Sequence, residues 1–552
     1  MFNLVKRNNY LIKKINKEKL LVPLFFFIYF LIGLYIFRDY GIPFDVEVQK
    51  FLAQNRLDYI TIFFSNIFSP IANEIENVPI KYPEYGVAFE LPALWLEKIL
   101  PFTEVRSQYF LRNFLIFLIS FFGSIFFFLI VKKRFNSWQI GLIGVLLLIA
   151  TPRIFAESFY NSKDVVFMYS FVISTFFGLS FLIDPKKSNS FYFAFFSAFC
   201  MGVKILGIIV PILFLYFLWI RYLRNDYKKN IKFSIFIFFL TLTFFLILFW
   251  PSLWENPVKG ILYALDSFKS YDHGIYNFYL GQYVYSKTIH WYYIPLWIFV
   301  TTPLFILLLF LYGLIVTLCR IFSRLIKISS KNEIHDLWRG TNEFQDLFFT
   351  TVIIAPIFLV IIFKSTLYSG WRHLYFIYPY IILISLVGLR TIYIKIFNLR
   401  KIKIIYFFKF VFTLFLLFNL SWLYINHPFQ NNFFNLLAGS NPHTKFEVDY
   451  WGISNKFVLE KIVREDPKNV INVTQISDTS LFENFKILTK EQKQRLKYVG
   501  DINNSDYIIN NNIFFHEDFR YVRKIPSNFS VYYELFVDDT LVTTIYKRDN
   551  PL

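Results

Sequence analysis

A bundle of transmembrane α-helices followed by a small water-facing α/β domain is the fold class this sequence predicts, on three observations. Of its 552 residues, 56% are hydrophobic and 22% aromatic, which is more apolar matter than one soluble core can hide. Apolar runs such as Leu20 to Phe37 and Ile231 to Trp250 recur along the chain; about twenty such residues are what a helix needs to cross roughly 30 Å of hydrocarbon. Beyond Phe446 the composition turns polar and the periodicity shortens.

The first apolar run is too long for a signal peptide, and Arg38 and Asp39 follow it where a small-residue cleavage site would stand, so it is expected to stay attached as a span. The formal charge of +19 could point to nucleic acid. In a polytopic chain, however, Lys and Arg gather in cytoplasmic loops and fix the topology. "KRNNYLIKKINKEK" before the first span, "KKRF" at 132, "DPKK" at 184, "RYLRNDYKK" at 221, the 318–346 segment and "RTIYIKIFNLRKIK" at 390 read as such inside segments.

Between them lie about eleven transmembrane helices, near 20–38, 112–131, 137–150, 165–183, 191–202, 204–220, 231–250, 294–317, 347–364, 376–392 and 405–424. The pair within Phe191 to Ile220 is short for two crossings and reads as two short arms or a re-entrant segment, with Gly202 and Gly207 flanking its turn. The basic segment before the first span places the N-terminus in the cytoplasm, and an odd number of crossings then carries the end of the chain outside. The expected division is a membrane domain over 1–445, with a first outer loop over 39–111, and an extracytoplasmic α/β domain over 446–552.

In that first outer loop, "YGVAFELPALWLEKIL" places Val87, Leu91, Leu94, Trp95 and Ile99 on one side of a helix and leaves Glu90, Glu97 and Lys98 polar. This is the pattern of an interfacial helix, with Pro92 as its break point. In the tail, Thr489 and Gln492 stand at capping-box spacing before a helix, and "VYYELFV" and "LVTTIYK" flank Asp538, Asp539 and Thr540 as a hairpin would. Cys200 and Cys319 lie in or beside apolar runs, so the chain has no disulfide framework and no zinc-ligand spacing.

Ionisable groups near hydrocarbon depth cost about 2.5 to 3.5 kcal/mol each on insertion scales, and their default reading is a polar cavity with a function. Asp45 and Glu47 follow the first span; Arg153, Glu157, Lys163 and Asp164 link the third and fourth; Lys204 sits at the next outside turn; Arg372 and His373 precede the tenth. Topological parity brings all of them out on one side. Carboxylates beside several fixed cations suit a substrate that carries phosphate and an acceptor that must lose a proton. Snorkelling is the plainer account of Lys163 and Asp164, and an aromatic belt with an anchoring Arg is the plainer account of "YSGWRHLYFIYP".

The stretches "DYGIPFDVEVQ", "YGVAFELPALWLEKIL", "TPRIFAESFYNSKDVVFM", "HWYYIPLWIFVTTPL", "SGWRHLYFIYP" and "HPFQNNFFNLLAGS…FEVDYWGIS" resemble, in order from about Asp39 to Ser454, a bacterial family of polytopic glycosyltransferases. That family belongs with the protein O-mannosyltransferases and the aminoarabinose transferases of lipid A, in the GT-C superfamily. The resemblance implies a GT-C-like helical membrane protein of the cell's inner membrane. Such an enzyme transfers a sugar, with inversion, from a polyprenyl-phosphate carrier of undecaprenyl type to an extracytoplasmic lipid, glycan or protein acceptor.

The resemblance also implies roles. Asp45 is the expected base, with Glu47 displaced by one residue from the family's usual Asp-Glu pair. Arg153, Lys163, Lys204, Arg372 and His373 are expected at the carrier phosphate, where Arg binds bidentately and Lys supplies a point charge. From the residues themselves, Asp164 is expected to orient Lys163 or to bind the sugar, Glu157 and Trp371 are expected at the substrate, Lys81, Tyr82 and Glu84 either contact the acceptor or belong to a solvated loop, and Asp272 and His273 lie in an outer segment whose mobility could cover the site. Relatives divide over a divalent metal, and that question stays open. The alternative reading is a polytopic transporter or lipid flippase without transferase activity; paired halves or symmetric broken helices would mark one, and neither is visible.

Overall fold

In a computed structural model, the protein is described over residues 17–68, 79–224, 231–270, 274–326, 337–477, 479–513 and 524–549. Among the described residues, nine helices are long and apolar enough to cross a membrane. All eleven expected spans are helical, but Trp138–Ile149 has only 12 residues and Lys187–Val203 only 17, so these two fall below that length. Many side chains on the outward faces are large and apolar, among them Phe27, Phe236, Phe244, Phe410 and Phe418, as lipid contact requires.

The expected span at 294–317 is broken. Tyr293–Thr301 and Leu304–Ile326 meet at Pro303, whose missing N–H and bulky ring stop the ladder. The carbonyls freed there are taken up by Asn435, whose side-chain amide donates to the carbonyls of Phe299 and Thr302 at 2.6 Å each. Beyond the break, Leu304–Ile326 crosses Tyr378–Asn398 closely because Gly313 and Gly388 lie at the contact; a Cβ on Gly313 would fall 2.0 Å from the Ile384 carbonyl oxygen.

At one end of the bundle a buried charge cluster ties three helices together. Asp346 accepts from Arg134 through Nε and Nη2, and from Arg320 Nη2, at 2.6 Å in each case. Arg112 lies on the same helix as Arg134, Val105–Phe135, 22 residues earlier and so about 33 Å away along the axis. It belongs to the opposite end, where the candidate site is built.

The first outer loop differs from its sequence reading in two ways. It contains an additional 23-residue helix, Val46–Phe68. Its second helix runs only over Glu90–Ile99, with Pro92 tolerated in the first turn, where no intrahelical N–H is needed. Its sidedness is only partly as expected: Val87, just before the helix, and Leu94 are buried and Lys98 is exposed, but Glu90 and Glu97 are buried on Arg112, whereas Trp95 and Ile99 are exposed. Interfacial helices turn acids to water, but here the partner of both acids is a buried guanidinium, and two apolar side chains, Trp95 and Ile99, face outward.

The C-terminal region contains a five-stranded sheet in the order β4-β3-β5-β7-β6. Its strands are β3 (Ile471–Gln475), β4 (Leu496–Tyr498), β5 (Tyr507–Asn511), β6 (Phe529–Val537) and β7 (Thr540–Arg548), preceded by a two-stranded hairpin of β1 (Tyr276–Tyr279) and β2 (Gln282–Tyr285) in the membrane region. β3 runs parallel to β4 and β5, and β7 is antiparallel to β5 and β6. Helix Ser454–Glu465 covers one face through Val458, Leu459 and Ile462. The predicted capping box of Thr489 and Gln492 is formed, and the hairpin turns at Asp538, which adopts φ 52°. The sheet is not free of the bundle: Trp422 Nε1 donates to Asp538 at 2.7 Å, and Trp422, Phe429 and Phe433 pack with Leu535 and Val542.

Candidate active site

Asp45 stands just before the Val46–Phe68 helix, in a turn at the end of a short link after the first span. The C-terminal region holds that link. The N–H of Ile42 donates to Asn484 at 2.8 Å, its carbonyl accepts from Ser480 and Asn484, and the N–H of Phe44 donates to the carbonyl of Trp451. Arg372 opens a 3₁₀ turn ahead of Tyr378–Asn398. Its Nη1 lies 3.1 Å from Asp45 and 3.2 Å from Asp164, and its guanidinium carbon is 4.8 Å from the ring centres of both Tyr368 and Trp451. Sequence separations of 327 and 208 residues are thus closed by one side chain.

Asp164 begins the Asp164–Ile183 helix, its N–H donating to Asn161 Oδ1 at 2.7 Å. One carboxylate oxygen takes Arg372 and the other takes Lys204. Lys204 lies at the break between Lys187–Val203 and the following helical turn. Lys163 rests its ammonium 3.7 Å from the Tyr85 ring centre. Tyr85 is brought there because backbone lies on backbone next to it: a Cβ on Gly86 would fall 2.4 Å from the Gly202 carbonyl oxygen.

Two cavities meet at this cluster. One has a volume of about 90 Å³ and the other about 390 Å³, and both are lined by Asp45, Tyr85, Lys163, Tyr368 and Arg372. The first adds Asp164, Lys204 and His373 together with the apolar Val203, Ile205 and Leu206. The second adds Gln49, Tyr82, Tyr276, Glu447, Tyr450 and Trp451. In the first, Lys163, Lys204 and Arg372 face Asp45 and Asp164, while Glu84 at its edge interacts with Arg56. The first cavity thus sets three cations beside three carboxylates, one of which, Glu84, is also drawn to Arg56. Burial, with repulsion from Lys204 added, brings Lys163 down to about 8, against the attraction of Asp45 and Asp164.

With this geometry in place, the comparison with known families bears on it directly. Residues 102–254 match the dolichyl-phosphate-mannose-protein mannosyltransferase family. The match supports a GT-C glycosyltransferase and, in general terms, transfer from a polyprenyl-phosphate-linked sugar. The matched stretch contains Arg153, Glu157, Lys163, Asp164 and Lys204. Among curated proteins, none matches the chain.

Other residues expected at the site lie elsewhere. Glu47, two residues past Asp45, lines neither cavity and bonds Tyr109 and Lys486. Trp371 is buried, donates from Nε1 to Thr301 at 2.9 Å and packs on Tyr375, because its large ring fills the bundle core and does not reach a groove. Arg153 sits between the rings of Trp297 and Phe434, and Glu157 is buried behind the site. Glu157 accepts from Asn161 at 2.6 Å, Tyr375 at 2.8 Å and Tyr450 at 3.2 Å; burial lifts it to about 7 against those bonds and the charge of Arg153. Lys81 is exposed outside both cavities, whereas Tyr82 lines the second and Glu84 the first. Asp272 and His273 lie outside the described residues.

Sequence reading assigned no role to Arg112, Asn161, Tyr85 or Glu447. Asn161 and Tyr85 stand inside the quoted family stretches, and that was their only signal; the pairing of Arg112 with Glu90 and Glu97 had none. Among the described residues, no three His, Cys, Asp or Glu side chains are grouped to hold a metal ion. The carboxylates nearest to such a role, Asp45 and Asp164, are engaged by Arg372 and Lys204.

Proposed function

We propose that the protein transfers a sugar, with inversion, from an undecaprenyl-type phosphate carrier to an acceptor on the outer side of the cell's inner membrane. The observation that carries this reading is the position of Asp45, on the wall shared by a cation-lined, partly apolar cavity and an aromatic, acidic one. The first cavity suits the donor. Val203, Ile205 and Leu206 offer contact to the first isoprene units, and Lys163, Lys204, Arg372 and His373 meet the phosphate.

Asp164 positions two of those cations by ion pairing. A phosphodiester donor carries one negative charge, and the departing phosphate carries more. Cations fixed in advance therefore interact more strongly with the transition state than with the bound donor. Asp45 takes the proton of the acceptor hydroxyl or amine as that group attacks the anomeric carbon from the face opposite the phosphate. The C–O bond to phosphate breaks as the new glycosidic bond forms, which inverts the centre. Arg372 keeps the base and the phosphate site in register, since it touches Asp45 from one side and Asp164 from the other.

Mass spectrometry of envelope glycans and lipid-linked sugars, with and without the gene, tests the reading. Loss of one sugar from an envelope component, with accumulation of its carrier-linked form, is expected. Unchanged glycans together with an unchanged carrier pool would reject it.

A further inference from the structure

The segment "FEVDYWGIS" has no part in the chemistry above beyond the stacking of Trp451 on Arg372. Its acid Glu447 is nevertheless built into the wall of the second cavity. Backbone stitches hold it there: the N–H of Glu447 donates to the Phe278 carbonyl at 3.0 Å, and the N–H of Phe278 donates to Glu447 Oε1 at 2.9 Å. Tyr279 and Phe446 are bridged next to this pair. The carboxyl is 3% exposed, and its second oxygen, Oε2, has no hydrogen-bond partner among the described residues. A buried polar atom left unpaired is costly unless something completes it. A carboxyl clamped through one oxygen beside a cavity has the form of a ligand-reading group.

The rest of that wall says what class of ligand is read. Among the described residues, the second cavity has no cation apart from Lys163 and Arg372, which it shares with the donor cavity. It has aromatic faces at Tyr82, Tyr276, Tyr450 and Trp451, and hydrogen-bonding groups at Gln49 and Glu447. Flat aromatic faces with a few carboxyl and amide groups match the alternation of C–H faces and hydroxyl edges on a pyranose ring. A phosphorylated lipid headgroup would call for cations of its own.

We infer that the second cavity is a saccharide subsite for the acceptor, in which Glu447 Oε2 hydrogen-bonds a sugar hydroxyl and so orients the ring for attack near Asp45. This rests on the donor and acceptor sides assigned above. Glu447 is a specificity-determining residue in this scheme; Asp45 alone takes the proton. A site that hydrogen-bonds a hydroxyl discriminates strongly against ligands that lack it.

The test uses the full-length protein in nanodiscs and saturation-transfer difference NMR with methyl α-mannopyranoside, methyl α-glucopyranoside and methyl β-N-acetylglucosaminide as probes. A Ser/Thr-containing peptide serves as the competing arm. Saturation should pass to at least one glycoside in the natural protein and fall about fivefold or more in Glu447→Ala, with a smaller loss in Gln49→Ala. Binding of undecaprenyl phosphate should be unchanged in both variants, which also reports that they are folded. Equal glycoside saturation in Glu447→Ala and the natural protein, or saturation of the peptide alone, would overturn the inference. Absence of undecaprenyl phosphate binding in the natural protein would instead remove the donor assignment on which it rests.

Discussion

Replacing Arg112 by Leu removes the partner of two buried carboxylates at once. The Arg112 side chain is 1% exposed, that of Glu90 7% and that of Glu97 2%. Glu97 would keep Lys50, whose Nζ is 3.2 Å away, whereas Glu90 would keep, among the described residues, only the Ser162 hydroxyl. Breaking a buried ion pair from one side costs about 3 to 5 kcal/mol, because the remaining charge stays buried without compensation. At about 2 °C per kcal/mol for a large chain, the midpoint of thermal unfolding in detergent should fall by on the order of 6 to 10 °C.

Glu90 also accepts from Ser162, the neighbour of Lys163, so donor affinity should fall together with stability. Neutralising both acids in the triple variant Arg112→Leu, Glu90→Gln, Glu97→Gln removes the uncompensated charge and should restore most of the midpoint. An unfolding midpoint for Arg112→Leu within about 1 °C of the natural protein would refute the account, since a loss that small belongs to an exposed pair.

Three further outcomes follow from the site. Lys163 is cationic below about 8 and neutral above it, so donor capture, read as kcat/KM for the carrier-linked sugar, should decline as pH rises through 8; Lys163→Arg should extend the plateau upward. Trp371→Phe loses the bond to Thr301 and should cost about 1 kcal/mol of stability while leaving KM for the donor unchanged, as checked by thermal unfolding beside steady-state kinetics. Glu47→Gln should leave transfer near its natural rate and weaken stability by less than about 1 kcal/mol, because its partners Tyr109 and Lys486 lie in a part-exposed cluster outside both cavities.

The spans were legible because hydrocarbon imposes a length and an apolar composition that survive in sequence, as Leu20 to Phe37 and Ile231 to Trp250 illustrate. The meeting of Asp45, Asp164 and Arg372 was legible only through topological parity and family resemblance. No local pattern joins residues 208 or 327 positions apart. The Glu90–Ile99 helix was misread in part, for a physical reason. Amphipathic reasoning assumes water on the polar side, whereas here the polar side closes on Arg112, contributed by a helix whose pairing leaves no trace in spacing.

Trp371 and Arg153 misled in a similar way. Aromatic and cationic side chains beside a span end look alike in sequence whether they line a cavity or, as with Trp371 on Thr301 and Arg153 between Trp297 and Phe434, fill the core. The sequence reading of 294–317 as one unbroken span passes over Pro303, and the Asn435 amide that makes the break tolerable lies 132 positions away.

The central claim is that Asp45 removes the acceptor's proton where the two cavities join. Its most direct measurement is sugar transfer by Asp45→Asn, set beside undecaprenyl phosphate binding by the same purified variant. The account predicts that transfer falls by on the order of 10² to 10⁴, as loss of a general base does, while carrier binding persists because Lys163, Lys204 and Arg372 remain in place. Transfer at the natural rate by Asp45→Asn, with the carrier bound as before, would contradict it.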